Sequence, residues 1–153
     1  MCASRALTGA QRTIPTSTSI ASRTARPRGS TTERSAGRGD LIQLTYVAEK
    51  SKHGVVFSLD GAGSVTLHWP ERPDGSTLLK TDGETPLLHA YELDAAPLYE
   101  RFVFVTSDRP IDVNRVLKAA RELASNARSA ASASLEIPAD WKQSDFTLKK
   151  VER

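Results

Sequence analysis

The chain has 153 residues, 39% of them apolar and 25% charged, a single-domain length with enough apolar material for one real core. Its formal charge of +3 is unevenly placed: residues 1–39 carry Arg5, Arg12, Arg23, Arg26, Arg28, Arg34 and Arg38 against Glu33 alone, whereas residues 40–153 carry 14 Lys or Arg against 17 Asp or Glu. The later part is therefore acidic, which removes the argument for a basic nucleic-acid surface on it, and Cys2, the single cysteine, excludes a disulfide within the chain.

Residues 1–39 hold only Met1, Leu7, Ile14 and Ile20 as large apolar side chains. A segment of Ser, Thr, Ala, Arg, Pro and Gly cannot offset its ordering entropy by burial, so residues 1–39 are expected to form a disordered tail outside the domain. An Arg-rich, acid-poor tail also matches a transit peptide, though no amphipathic helix accompanies it. It could equally touch phosphates non-specifically, though it has no aromatic residue to stack on bases. A misassigned start is the third alternative. No apolar run reaches the roughly 18 residues of a membrane span. No signal-type apolar stretch opens the chain either, so a cytoplasmic setting is the default expectation.

From Asp40 the texture changes. Ile42, Leu44, Tyr46 and Ala48 alternate with polar neighbours, the period of a half-buried strand. Val55, Phe57 and Leu59 share one face of a second strand. Asp60-Gly61-Ala62-Gly63 supplies a hairpin turn. Val65, Leu67 and Trp69 form the return strand, with His68 on its polar side. Short strands are expected at Thr77–Lys80 and Leu87–Leu93, then a corner at Asp94-Ala95-Ala96-Pro97. Arg101–Thr106 is apolar on both faces, which suits a central strand covered twice. Asp112 caps a helix expected over about 112–128, with Val113, Val116, Leu117, Ala120 and Leu123 on one side. Leu135–Pro138 and Phe146–Val151 close residues 40–153 as strands. The fold class is mainly β: an antiparallel sandwich, or a partly open barrel, with one late helix.

Two segments, Gly54-Val-Val-Phe-Ser-Leu-Asp-Gly-Ala-Gly-Ser-Val-Thr-Leu-His-Trp-Pro-Glu71 and His89-Ala-Tyr-Glu-Leu-Asp-Ala-Ala-Pro-Leu-Tyr-Glu-Arg-Phe-Val-Phe-Val-Thr106, carry a family resemblance. Over roughly Asp40 to Leu123 the chain resembles a bacterial domain of unknown function, similar to the C-terminal part of ActD-like and anti-sigma-factor-like proteins of myxobacteria. The resemblance implies a β-rich module of signalling or envelope-regulation proteins and brings no catalytic residues with it. The chain departs from that setting upstream of Asp40, where an Arg-rich tail stands in place of a zinc-finger segment or membrane span.

Candidate chemistry is sparse. His53, His68 and His89 lack ligand spacing, so no metal site is expected. Asp60-Gly61-Ala62-Gly63 has one acid where a calcium loop needs several, and a strand follows where a phosphate loop needs a helix. Glu92, Asp94 and Glu100 cluster around the Pro corner beside Arg101, either as a surface for a partner or as an acid/base pair of a small hydrolase. No serine lies in a Gly-x-Ser-x-Gly elbow. The expectation is a non-enzymatic interaction or regulatory module without cofactor or metal, its partner a protein met at Glu92, Asp94, Glu100 and Arg101. The alternatives are the hydrolase and nucleic-acid binding through the tail. If the helix is amphipathic as read, Leu117→Asp unfolds or loosens the domain while Lys118→Asp is nearly silent. Thermal melts followed by circular dichroism check this, and equal losses at the two positions would remove the reading.

Overall fold

The computed structural model describes residues 17–21, 34–95 and 97–151. The fold is mainly β, with two sheets and two short helices. Its strands are β1 Ser17–Ala21, β2 Arg34–Gly37, β3 Leu41–Val47, β4 His53–Asp60, β5 Val65–Trp69, β6 Glu84–Pro86, β7 Tyr91–Glu92, β8 Tyr99–Ser107 and β9 Lys142–Val151. The larger sheet runs β2-β9-β8-β4-β5. The smaller is built on β3, with β1 on one edge and β6 and β7 on the other.

Three layers result. β3 carries Ile42, Leu44 and Tyr46 onto Val56, Phe102, Phe104 and Leu148 of the larger sheet. The opposite face of that sheet carries Val55, Phe57, Leu59, Val103 and Val105 under the helix α1, Val113–Ala124. Strands β4 and β8 are buried almost throughout because both their faces are covered. Phe57, Phe102 and Phe104 are fully buried, each such side chain being worth about 1.5–3 kcal/mol of apolar burial. Trp69, on the edge strand, is only half-buried against the inter-sheet core.

The helix starts where the sequence places it: the Asp112 carboxylate accepts the Arg115 N–H at 3.3 Å. It ends earlier than residue 128. Ser125 caps it, and the Asn126 side chain accepts the Arg128 N–H at 3.2 Å and opens a separate short helix, α2, Ala127–Ala130. The single late helix is thus two, divided by a residue whose side chain competes for backbone donors.

Other expectations shift for tertiary reasons. Thr77–Lys80 contributes one isolated bridge, between Leu78 and His53, rather than a strand. Of the span expected over Leu87–Leu93 only Tyr91–Glu92 pairs, and Leu135–Pro138 forms no strand. Two of the pairings are parallel, β1 with β3 and β2 with β9. Residues of the expected tail therefore join the sheets: Ser17–Ala21 pairs with β3, and Arg34–Gly37 with β9, where Ala36 is buried. The reading of a disordered tail for residues 1–16 and 22–33 lies outside the described residues. Among the described residues no helix is long and apolar enough to cross a membrane.

The hairpin turn after β4 locks onto the corner before β8. Gly61 N–H donates to the Tyr99 carbonyl at 3.1 Å, and a Cβ on Gly61 would run into the Pro97 carbonyl oxygen. Gly61→Ala is therefore expected to destabilise the fold by about 1–3 kcal/mol, the range for overpacking against atoms that cannot swing aside. Urea denaturation measures it, and an unchanged midpoint would mean that turn and corner are not held together.

Candidate functional site

The four corner residues do not form one surface. Glu100 and Arg101 are neighbours on β8 and so project to opposite faces, and both are buried, at 1% and 2% exposure. The corner ends sooner than the charges suggest, because β8 begins at Tyr99. Arg101 turns toward the helical layer, where its Nε donates to Asp145 at 2.8 Å and its guanidinium also donates to the carbonyls of Ala130 and Ala133 at 2.9 and 2.7 Å. It thereby ties β8 to β9 and to the end of α2, and neutralises Asp145 rather than a corner acid. Glu92 and Asp94 stay exposed.

On the other face the carboxylate oxygens of Asp60, Asp94 and Glu100 lie within 4.8 Å of one another. The Lys150 ammonium sits among them, 2.7 Å from Asp94 and 3.0 Å from Glu100. Burial by itself would lower the Lys150 pKa, but the hydrogen bond to Asp94 and the paired Glu100 carboxylate outweigh it and hold the amine above its ordinary value. Asp60 is engaged as well, accepting the N–H groups of Ala62 and Ser64 at 2.9 Å. The cluster has its own cation, so its chemistry is that of a buried ion network. Glu100, which a hydrolase of this cluster would present to its substrate, is buried in the described structure.

The histidines lie apart, each with its own partner. His53 hydrogen-bonds with Thr77 at 2.9 Å, and exposed His89 meets Glu71 at 3.0 Å. The side of β5 expected to be polar faces the smaller sheet, and His68 lies on it with Thr66. A bulge opposite Val56 and Phe57 breaks the alternation, so that Trp69 leaves the face of Val65 and Leu67 and joins His68. There His68 hydrogen-bonds with Ser58 Oγ at 2.9 Å and sits edge-on to Tyr91 and near Phe102, at ring distances of 4.8 and 5.7 Å. Burial pushes its pKa down to about 4. Ser58 is fully buried, so the pair is a structural hydrogen bond and not an accessible nucleophile with its base.

An open cavity lies elsewhere, among segments that the sequence pattern assigns to strands. A groove of about 850 Å³ runs between the edge of the larger sheet and the irregular segments on either side of β6. Trp69, Pro70, Leu79 and Leu87 help to wall it. Leu78 and Leu88 stand in it at 59% and 75% exposure. A smaller hollow of about 450 Å³ continues along β5 past His68 and Tyr91 and shares Trp69, Glu71 and Leu88 with it. The walls are tied down: Leu79 N–H donates to the Lys52 carbonyl, Leu87 N–H to the Leu44 carbonyl, and Lys80 N–H to Tyr46 Oη at 3.0 Å. Trp69 Nε1 is buried there with no hydrogen-bond partner among the described residues, an arrangement that costs about 1–3 kcal/mol. The signal available in the sequence was the doublets Leu78-Leu79 and Leu87-Leu88. In each, one leucine enters the core and its neighbour is left outside.

No family model, curated protein or solved structure matches this chain.

The buried histidine sets a pH window. A folded pKa below the unfolded value of 6.5 means that the stability gained from neutral His68 is fully present above pH 6.5 and is lost as pH falls toward 4. That loss is on the order of 3 kcal/mol. His68→Leu is expected to flatten the stability-against-pH slope across this window, read from urea midpoints. An unchanged slope in the variant would assign the acid sensitivity to other groups.

Proposed function

We propose that the chain is a non-enzymatic binding module and that the Leu78–Leu88 groove is its binding surface. The observation that carries this reading is the pair of large leucines held in solvent within a concave, hydrogen-bonded frame. Exposed apolar groups gathered in a cleft mark binding sites, whereas isolated ones do not. Leu78 and Leu88 come from segments on either side of β6, and both are fixed by neighbours that hydrogen-bond to β3 or to the start of β4. The frame is thus preorganised, and little ordering entropy opposes capture of a ligand.

The burial of Glu100 and its ion pair with Lys150 favour this role over hydrolysis at the acidic cluster. The regulatory setting implied by the family resemblance belongs to the same proposal: a module that binds and reports, without turnover. Binding at the groove also replaces the corner of Glu92, Asp94, Glu100 and Arg101 as the contact surface, since two of those four side chains are unreachable.

A neutral apolar dye such as Nile red tests the groove. Wild-type protein is expected to bind it with a blue-shifted emission. The double variant Leu78→Arg, Leu88→Arg should bind about tenfold or more weakly, equivalent to about 1.4 kcal/mol. Its melting temperature should hold, because both side chains lie outside the core. Dye binding that ignores the double substitution in a folded protein would place the apolar surface elsewhere and sink the proposal.

A further inference from the structure

The charged groups around the groove are unevenly satisfied. Glu71 pairs with His89 at 3.0 Å, and Arg72 with Asp74 at 3.0 Å. Lys80 also lines the groove, and its ammonium has no acid partner among the described residues. One further donor stands in the same walls: Tyr46 Oη accepts the Lys80 N–H, so its own proton remains to be given. Trp69 Nε1–H lies behind the wall, buried and without an acceptor among the described residues. The groove thus offers an apolar body and a surplus of donors, one of them positively charged.

From this complementarity we propose that the groove binds a small amphiphile with an apolar tail and a carboxylate head, the head pairing with Lys80. The inference rests on the groove being the binding surface and adds the class of ligand. A carboxylate has only acceptor sites, about four lone-pair positions on two oxygens, which match an ammonium and a phenol. The tail would lie along Trp69, Leu78, Leu79 and Leu88. The volume of about 850 Å³ falls within the range of about 300–1,000 Å³ typical of small-molecule sites. An extended peptide is the poorer occupant. The neighbouring free edge is the five-residue β5, whose bulge interrupts the even ladder that strand addition needs.

The test uses the full chain carrying Trp141→Phe, which leaves Trp69 as the only tryptophan, with folding checked by circular dichroism. Dodecanoate, dodecanol and dodecylammonium are titrated below their micellar concentrations. Shifts of the Trp69 indole and Lys80 amide resonances in the wild-type protein give an independent reading. Dodecanoate is expected to bind about tenfold more tightly than dodecanol, the scale of one charge-assisted hydrogen bond, and dodecylammonium most weakly. Lys80→Gln should remove the preference for dodecanoate and leave dodecanol binding unchanged. Equal binding of all three, still lost in Leu88→Arg, would overturn the carboxylate assignment and leave the groove reading standing. Failure to bind any of them, or Nile red, would remove both. A dimer in sedimentation that Leu88→Arg dissociates would put a second copy of the chain in the groove and overturn the proposal.

Discussion

The structure depends on one constraint: strands β4 and β8 are covered on both faces. A strand with one wet face can keep its polar residues there, but these two have no wet face. Val, Phe and Leu fill the middle of both strands. Among them and at the strand ends lie the buried polar residues Ser58, Asp60, Glu100, Arg101, Thr106 and Ser107, and each of these side chains requires a partner inside the protein. Arg101 finds Asp145 and two carbonyls, Glu100 finds Lys150, and Ser58 finds His68. Removing one member of such a set leaves its partner buried and uncompensated, whereas exchanging the whole set for apolar groups can be neutral. The polar pairs therefore fix how the layers are joined more than they add to stability. Lys150 and Asp145 both come from β9, so they also hold that strand in register on β8.

The same constraint explains which parts of the fold were legible. The double-sided apolar run of Arg101–Thr106 reads as a central strand because nothing else accommodates it. The β4–β5 hairpin reads from its turn, where Gly63 takes a φ of +87°. The helical stripe from Val113 to Leu117 and Ala120 reads from its spacing. What was not legible is whatever distant residues decide. Glu100 and Arg101 look like exposed corner charges until Lys150 and Asp145 arrive from the far end of the chain. The strand Arg34–Gly37 has no apolar periodicity, and only the free edge of β9 gives it a partner.

The groove failed to appear for a different reason. Its walls are irregular backbone, held by single hydrogen bonds to β3 and β4 instead of a ladder, and period-based reading rewards only regular segments. Leu87 and Leu88 looked like the start of a strand, yet the chain leaves β3 between β6 and β7, and Gln43 Nε2 fills part of the gap by donating to the Leu87 carbonyl at 2.9 Å. Departure from the ladder is what frees Leu88 from the sheet. Trp69 shows the same principle on a smaller scale, since one inserted residue moved it from the helix-covered face of the larger sheet, where Val65 and Leu67 lie, to the inter-sheet face.

The place of β9 bears on how the chain is made. This strand lies between β2 and β8, so both depend on residues that leave the ribosome after them, β2 by most of the length of the chain. Until β9 emerges, β8 presents a long apolar edge with open backbone donors and acceptors, the kind of surface that recruits another unfinished chain. Closure of the larger sheet is then a late event that spans a long loop, with the slow folding that such non-local pairing brings. Helix α1 follows β8 directly and can cover one face of it in the interval. The order of elements thus gives the nascent strand a local escort while it waits for its neighbour.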